Sequence, residues 1–188
     1  TRARLHGRAI AYIPQEPMQA LDPCFTVESL LREPLRNLKG LRGRAARERA
    51  LELLEGVGIP DAPTVLKRYP HQLSGGMAQR VCIAIALAGE PELLIADEPT
   101  TALTNKEVEA LFRVIMDLQA RGIAILFVSH KLGEVFEISE RFTILRNGQQ
   151  IITSPAGDLD QRKFAEYMTG KDFVELGFEG DDAIGEPL

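Results

Sequence analysis

Leu73-Ser74-Gly75-Gly76-Met77-Ala78-Gln79-Arg80 joins a capping serine and two glycines to an apolar helix that the pattern runs from Met77 to Leu87. A serine in that place accepts from a free N–H group of the first helical turn. The glycines leave backbone N–H groups uncovered and let a ligand come close. Donors and the positive end of the helix dipole then point at one place, which suits a phosphate. Taken alone, Ser-Gly-Gly before a helix is no more than a good N-cap. The balance shifts with Leu93-Leu94-Ile95-Ala96-Asp97-Glu98-Pro99, an apolar strand ending in two adjacent carboxylates.

On either side of these stretches the chain alternates strands and helices. Downstream, Pro99-Thr100-Thr101-Ala102-Leu103 leads to a helix with Val108, Leu111, Phe112, Ile115 and Leu118 on one face. Thr104 and Glu107 have the spacing of a capping box at its start, and Gly122 ends it. Ile123 to Val128 is a second apolar strand, followed by Ser129-His130. Strands apolar throughout are expected to be parallel and buried on both faces. In such sheets ligands bind at the carboxyl ends of the strands, where Asp97, Glu98 and His130 fall. A short helix, Leu132 to Ile138, precedes Phe142–Arg146 and Gln149–Ile152, which flank Asn147-Gly148 as a type I′ hairpin. A last helix around Gln161–Met168 runs into an acidic, Gly-containing tail.

Upstream, residues 26–69 read as helical, with Ala46, Ala50, Leu53, Leu54 and Val57 on one buried stripe. Arg42, Arg44, Arg47 and Arg49 lie largely off that stripe and read as a solvated face. Before them, Ile10-Ala11-Tyr12-Ile13-Pro14-Gln15 is a short strand whose proline suits a strand end or an edge.

Composition bounds the reading. The 188 residues can hold one ordinary domain or one lobe of a larger one, and a 45% hydrophobic content predicts a packed core. A formal net charge of −5 argues against a nucleic-acid platform. No apolar run approaches the roughly 18 residues of a membrane span. Cys24 and Cys82 lack CxxC or metal spacing, which suits a reduced cytosolic setting and makes both bystanders.

Taken jointly, these motifs resemble the signature and Walker B segments of ABC-type ATPases. Tyr12-Ile13-Pro14-Gln15-Glu16-Pro17-Met18 resembles the Q-loop of that family, above all in peptide and nickel importers, and Ser129-His130 matches its switch histidine. The resemblance implies an α/β, P-loop NTPase-like fold, with a partial parallel sheet and a helical subdomain over about 24–90. It implies ATP and Mg²⁺ as cofactors. Asp97 and Gln15 would serve the metal, Glu98 would be the general base and His130 would contact the γ-phosphate. Gln15 would also report nucleotide state to a transmembrane partner. Ser74, Gly75, Gly76 and Gln79 carry over as signature residues that close on ATP held by an opposite subunit, in a head-to-tail dimer. The expected function is that of an ABC importer's ATP-binding subunit, coupling ATP binding and hydrolysis to uptake of a solute of the peptide or sugar class, bound to transmembrane permease subunits at the cytoplasmic face of the plasma membrane. A soluble ABC ATPase outside transport and a non-catalytic interaction module of the same fold are the alternatives.

One part of the family pattern is missing. A P-loop needs Gly-x-x-x-x-Gly-Lys-[Ser/Thr]. Here the one Gly-Lys pair, Gly170-Lys171, is followed by Asp172 and has Ala165 where the first glycine belongs. The expectation is an incomplete ATPase domain over residues 1–175, beginning after its P-loop, with 176–188 as linker or frayed tail. Thr101-Ala102-Leu103-Thr104 stands where the family carries Ser-Ala-Leu-Asp, so no carboxylate is offered across the dimer there. Residues 8–100 are similar to peptide importers. Leu103–Val108, Ser129–Phe136 and the Phe164–Phe173 stretch are similar to sugar importers, whose tandem arrangement predicts a second ATPase domain beyond Leu188.

Overall fold

Among the described residues, three parallel strands, in the order β1-β2-β3, position the carboxylate cluster: β1 (Ile10–Ile13), β2 (Leu93–Asp97) and β3 (Ala124–Val128). The computed structural model describes residues 7–101 and 103–170. The linker reading of 176–188 lies outside the described residues, as do Ala102 and residues 171–173 of the sugar-importer likeness. The chain divides into two units, Thr1–Ile138 and Ser139–Leu188.

In the first unit, β2 is central, with Leu94 paired to Ala11 on one side and Ile125 on the other. Ala11, Ile13, Leu94 and Ala96 point into the core. The opposite face carries Tyr12, Ile95 and Leu126 in one row of the register, and Tyr12, Leu126 and Val128 are exposed. The expectation that the apolar strands are buried on both faces is therefore corrected: among the described residues one face is covered and the other is open. Pro14 follows β1, an edge strand, where its missing N–H breaks no ladder.

The helices are α1 (Pro17–Ala20), α2 (Val27–Lys39), α3 (Gly43–Gly56), α4 (Ala62–Val65), α5 (Gly75–Leu87), α6 (Asn105–Ala120) and α7 (Leu132–Ile138). Thr26 caps α2 by accepting from the Ser29 N–H, and Gly40 ends it in the left-handed region at φ 70°. The break at Gly40 to Arg42 divides what periodicity alone reads as one helical stretch. On α3 the predicted stripe is buried at Ala46, Ala50, Leu53 and Leu54, and Val57 follows it into the core. Helix α5 is apolar nearly all round because it runs through the middle, packed against α1, α2, α3 and β1. Helix α6 turns Leu111, Phe112, Ile115 and Leu118 inward and connects β2 to β3 in a strand–helix–strand unit.

The second unit holds the predicted hairpin, β4 (Arg141–Arg146) and β5 (Gln149–Pro155), and α8 (Gln161–Thr169). Arg146 pairs with Gln149, so Asn147-Gly148 is a two-residue loop, and both have positive φ (51° and 74°), as a type I′ turn demands. Phe142 and Phe164 meet edge to face, 4.7 Å between centroids, and pin α8 to β4.

Candidate functional site

The register that aligns Ile13 with Ala96 and Asp97 with Val128 brings the carboxyl ends of all three strands to one edge of the sheet. Gln15 leaves β1 there, Asp97 and Glu98 close β2, and Ser129-His130 leaves β3. Glu98 is the hub. Its N–H donates to the Val128 carbonyl at 2.9 Å, which ties it to the end of β3. Its Oε1 lies 3.2 Å from His130 Nδ1. Its Oε2 accepts from the Gln15 amide at 3.2 Å and from the Thr101 hydroxyl at 3.4 Å. The Glu98 backbone sits at φ 42°, a conformation that a side chain with a Cβ rarely adopts. Strain of that kind persists where the surroundings fix a residue, and it clusters at functional sites.

Asp97 is held separately, by the Tyr12 hydroxyl donating to Oδ2 at 3.1 Å. Slight desolvation first, then the bond to Asp97 and its negative charge, push the phenol of the largely exposed Tyr12 above its ordinary value, so it stays a donor. Tyr12 and Thr101 are contributors that the sequence did not single out. Their signals, an alternate strand position and a turn threonine, are shared by many residues with no such contact.

Gln15, Asp97, Glu98 and His130 are thus brought together. Ser74, Gly75 and Gly76 form a second cluster, at the start of α5. Ser74 Oγ accepts from the Met77 N–H at 3.2 Å, the expected N-cap. The donors that the pattern offers to a phosphate are partly taken by the chain itself. Glu107 Oε1 accepts from the Gly76 N–H at 3.1 Å, with the Ser74 hydroxyl at 3.5 Å, while Oε2 accepts from the Thr104 N–H and hydroxyl at 3.1 and 3.0 Å. The Thr104 N–H first, then its hydroxyl, hold the Glu107 carboxyl below its ordinary value, with Gly76 and Ser74 adding to the effect against partial desolvation. The capping box was legible; its second use, on α5, was not.

Gln79 does not share that surface. It is 1% exposed and faces the core, with neither side-chain oxygen nor nitrogen partnered among the described residues. An amide held that way costs free energy that a buried apolar residue would not. Helical phase explains the placement: three residues past Gly76, Gln79 lies on the inward side of a helix surrounded by other elements.

The strand-end cluster offers carboxylate and carboxamide oxygens, the donor chemistry of a hard cation. Among the described residues no group of three or more His, Cys, Asp or Glu could hold a metal ion by itself. That fits Mg²⁺ only in its usual form, one or two carboxylates with phosphate oxygens and water completing the octahedron.

Comparison with known proteins bears on the family and the fold. Residues 1–101 of the chain match the family described as ABC transporter. A protein named as a peptide import ATP-binding protein of Brucella abortus is 40% identical over 168 residues, 89% of this chain and 51% of the relative. A protein of Brucella melitensis named in the same way is 42% identical, over 89% of this chain and 50% of its own length. The chain therefore spans about half the length of the curated relatives it matches. Among solved structures, the dimeric post-hydrolysis state of the ATP-binding cassette MJ0796, bound to ADP and Pi, superposes with a TM-score of 0.68 at 30% identity, covering 80% of this chain and 64% of that one. The cbiO1 protein of Clostridium perfringens, part of the ABC transporter complex cbiONQ, gives 0.71 at 26% identity, over 86% and 61%. The carboxylates at the end of β2, the glycine-led start of α5 and a family match over residues 1–101 lead to one assignment: this chain belongs to the ABC transporter family, in its ATP-binding part, and has the α/β fold of the ABC ATPase cassettes.

Proposed function

We propose that this chain supplies the hydrolytic and signature parts of an importer's ATPase, coupling ATP binding and hydrolysis to solute uptake, with peptides as the solute class. The observation that carries the reading is Glu98. It is held at the junction of three strand ends by His130, Gln15 and Thr101, in a strained backbone conformation. Phosphoryl transfer to water needs positioning and charge stabilisation more than covalent chemistry. In this reading Glu98 orients the attacking water and takes its proton. Its contact with His130 requires a proton on Nδ1, and Nε2 would have to carry a second proton to donate to a phosphate oxygen. Gln15 joins the water or metal to β1, and Asp97 would hold Mg²⁺, which neutralises phosphate charge when bound. Ser74, Gly75 and Gly76 close on a nucleotide carried by an opposing ATPase domain, for which Glu107 would have to swing off the Gly76 N–H. The solved relative that is dimeric and bound to ADP and Pi supports this arrangement.

In this reading residues 1–175 belong to one ATPase domain, and the Gly-x-x-x-x-Gly-Lys-[Ser/Thr] pattern is not among them. The peptide class rests on the names of the curated relatives, and the sugar class on the likeness of Leu103–Val108 and Ser129–Phe136 alone. No helix among the described residues is long and apolar enough to cross a membrane, so attachment to the cytoplasmic face would come through permease subunits. A cavity of about 410 Å³ between α2 and α3 has Phe25, Leu30 and Leu41 among its walls, with Arg32, Glu33, Arg36 and Arg42 around them.

The test is expression of the full natural polypeptide together with its neighbouring genes. The expected result is Mg²⁺-dependent ATP turnover and recovery with an integral membrane protein. Turnover without any membrane partner favours a soluble ATPase, and absence of turnover at saturating ATP favours an interaction module.

A further inference from the structure

His130 is 61% exposed in its side chain, and its recorded contact is the one to Glu98. What fixes it is therefore the backbone on either side. Ser129 Oγ donates to Glu134 Oε2 at 2.8 Å and accepts from the Lys131 N–H at 3.0 Å. Lys131 Nζ pairs with Glu134 Oε1 at 3.1 Å. Both residues flanking His130 are thus anchored to one buried carboxylate on α7.

The same carboxylate holds the other turn. Thr100, two residues beyond Glu98 and fully buried, donates its hydroxyl to Glu134 Oε2 at 2.8 Å. Lys131 Nζ also donates to the Thr100 carbonyl and hydroxyl oxygens, at 3.3 Å each. The Thr101 N–H and hydroxyl return to the Glu98 carbonyl at 3.3 and 3.1 Å, closing the turn that carries Glu98. A buried carboxylate with an ammonium and two hydroxyls is costly to assemble and is weak evidence for stability as such. Its value lies in fixing one arrangement of the two loops it joins.

We propose that Glu134 is a positioning residue for ATP hydrolysis: it clamps the Thr100 turn to the Ser129–Lys131 turn and so keeps His130 opposed to Glu98. The proposal rests on the reading of Glu98 and His130 as the hydrolytic pair. A group that acts by holding others within about half an ångström of their working positions affects the chemical step more than substrate binding.

The experiment uses the full natural polypeptide, assayed for ATP turnover. Glu134→Gln keeps the shape but replaces one acceptor oxygen by a donor facing hydroxyls or ammonium. The expected result is a kcat lowered about tenfold with the KM for ATP changed less than about twofold. In a His130→Ala background, with residual turnover followed by phosphate release over hours, the same substitution should cost less than about twofold, because its target is already gone. Ser129→Ala removes one arm only and serves if Glu134→Gln does not fold; a loss of about threefold with the same non-additivity supports the clamp. A kcat within twofold of the parent, or losses that multiply with His130→Ala, overturns it. The two readings fail differently. If Glu98→Gln and His130→Ala both leave turnover intact, the hydrolytic pair is wrong and the clamp falls with it. If those two are inactivating and Glu134→Gln is not coupled to them, the clamp alone falls.

Discussion

Removing the Glu107 carboxylate should loosen two helix starts at once. Glu107→Ala deletes the acceptor for the Thr104 N–H and hydroxyl at the start of α6, and for the Gly76 N–H at the start of α5. Loss of a capping interaction costs about 1 kcal/mol. Gly76 is buried, and leaving its N–H without a partner costs on the order of 1 kcal/mol more, the low end of the range because Glu107 is itself half-exposed. The sum is about 2 kcal/mol, which in a chain of this size lowers Tm by roughly 4–8 °C. The charge adds a pH signature. Because its donors depress the Glu107 pKa in the folded state, the stabilisation is fully present above the unfolded value, near about 4.3, and disappears as pH falls through the folded value. Thermal unfolding of parent and variant should therefore show the full gap at pH 7 and a gap narrowing below about pH 4. Glu107→Gln, which can still accept from Thr104, should fall between the two. A Tm difference under about 1 °C at pH 7, or a gap that persists unchanged into acid, refutes the double-capping argument.

Two further outcomes follow from the same structure. The 188 residues alone should turn over no ATP at a useful rate, since the carboxylates at the end of β2 have no P-loop lysine or glycine cradle to balance a triphosphate; robust Mg²⁺-dependent turnover by the purified chain contradicts this. Burial pushes the Cys82 thiol up to about 12, with its S–H directed at the Pro17 carbonyl, whereas Cys24 is exposed; a thiol reagent at pH 8 should label Cys24 quickly and Cys82 only on unfolding, and equal labelling of both in the folded chain contradicts the packing of α1 on α5.

What could be read from the sequence was whatever a short range of residues decides by itself. Ser74 as an N-cap, the Thr104–Glu107 capping box and the Asn147-Gly148 turn each depend on neighbours within four residues, and each is where the pattern puts it. The stripe on α3 was legible for the same reason, because helical periodicity is local. Features set by distant partners were not. Glu107 reaches Gly76 across 31 residues, and Glu134 reaches Thr100 across 34, with nothing in the intervening sequence to announce either contact. The open face of the sheet escaped as well, because an apolar strand reads identically whether or not a second layer covers it. Gln79 shows the same limit: the resemblance carries it over with the signature residues, but its burial is set by helical phase and by the elements around α5.

The central claim is that Glu98 is the base of an ATP-hydrolysing site. The direct measurement is ATP turnover and ATP binding by the full natural polypeptide carrying Glu98→Gln, which keeps the side chain's shape and its contacts with Gln15 and Thr101 but cannot accept a proton. The account predicts ATP binding close to the parent's, with turnover nearly abolished and ATP-bound protein accumulating as a closed dimer. Turnover lowered by less than about tenfold, equivalent to roughly 1.4 kcal/mol, contradicts it.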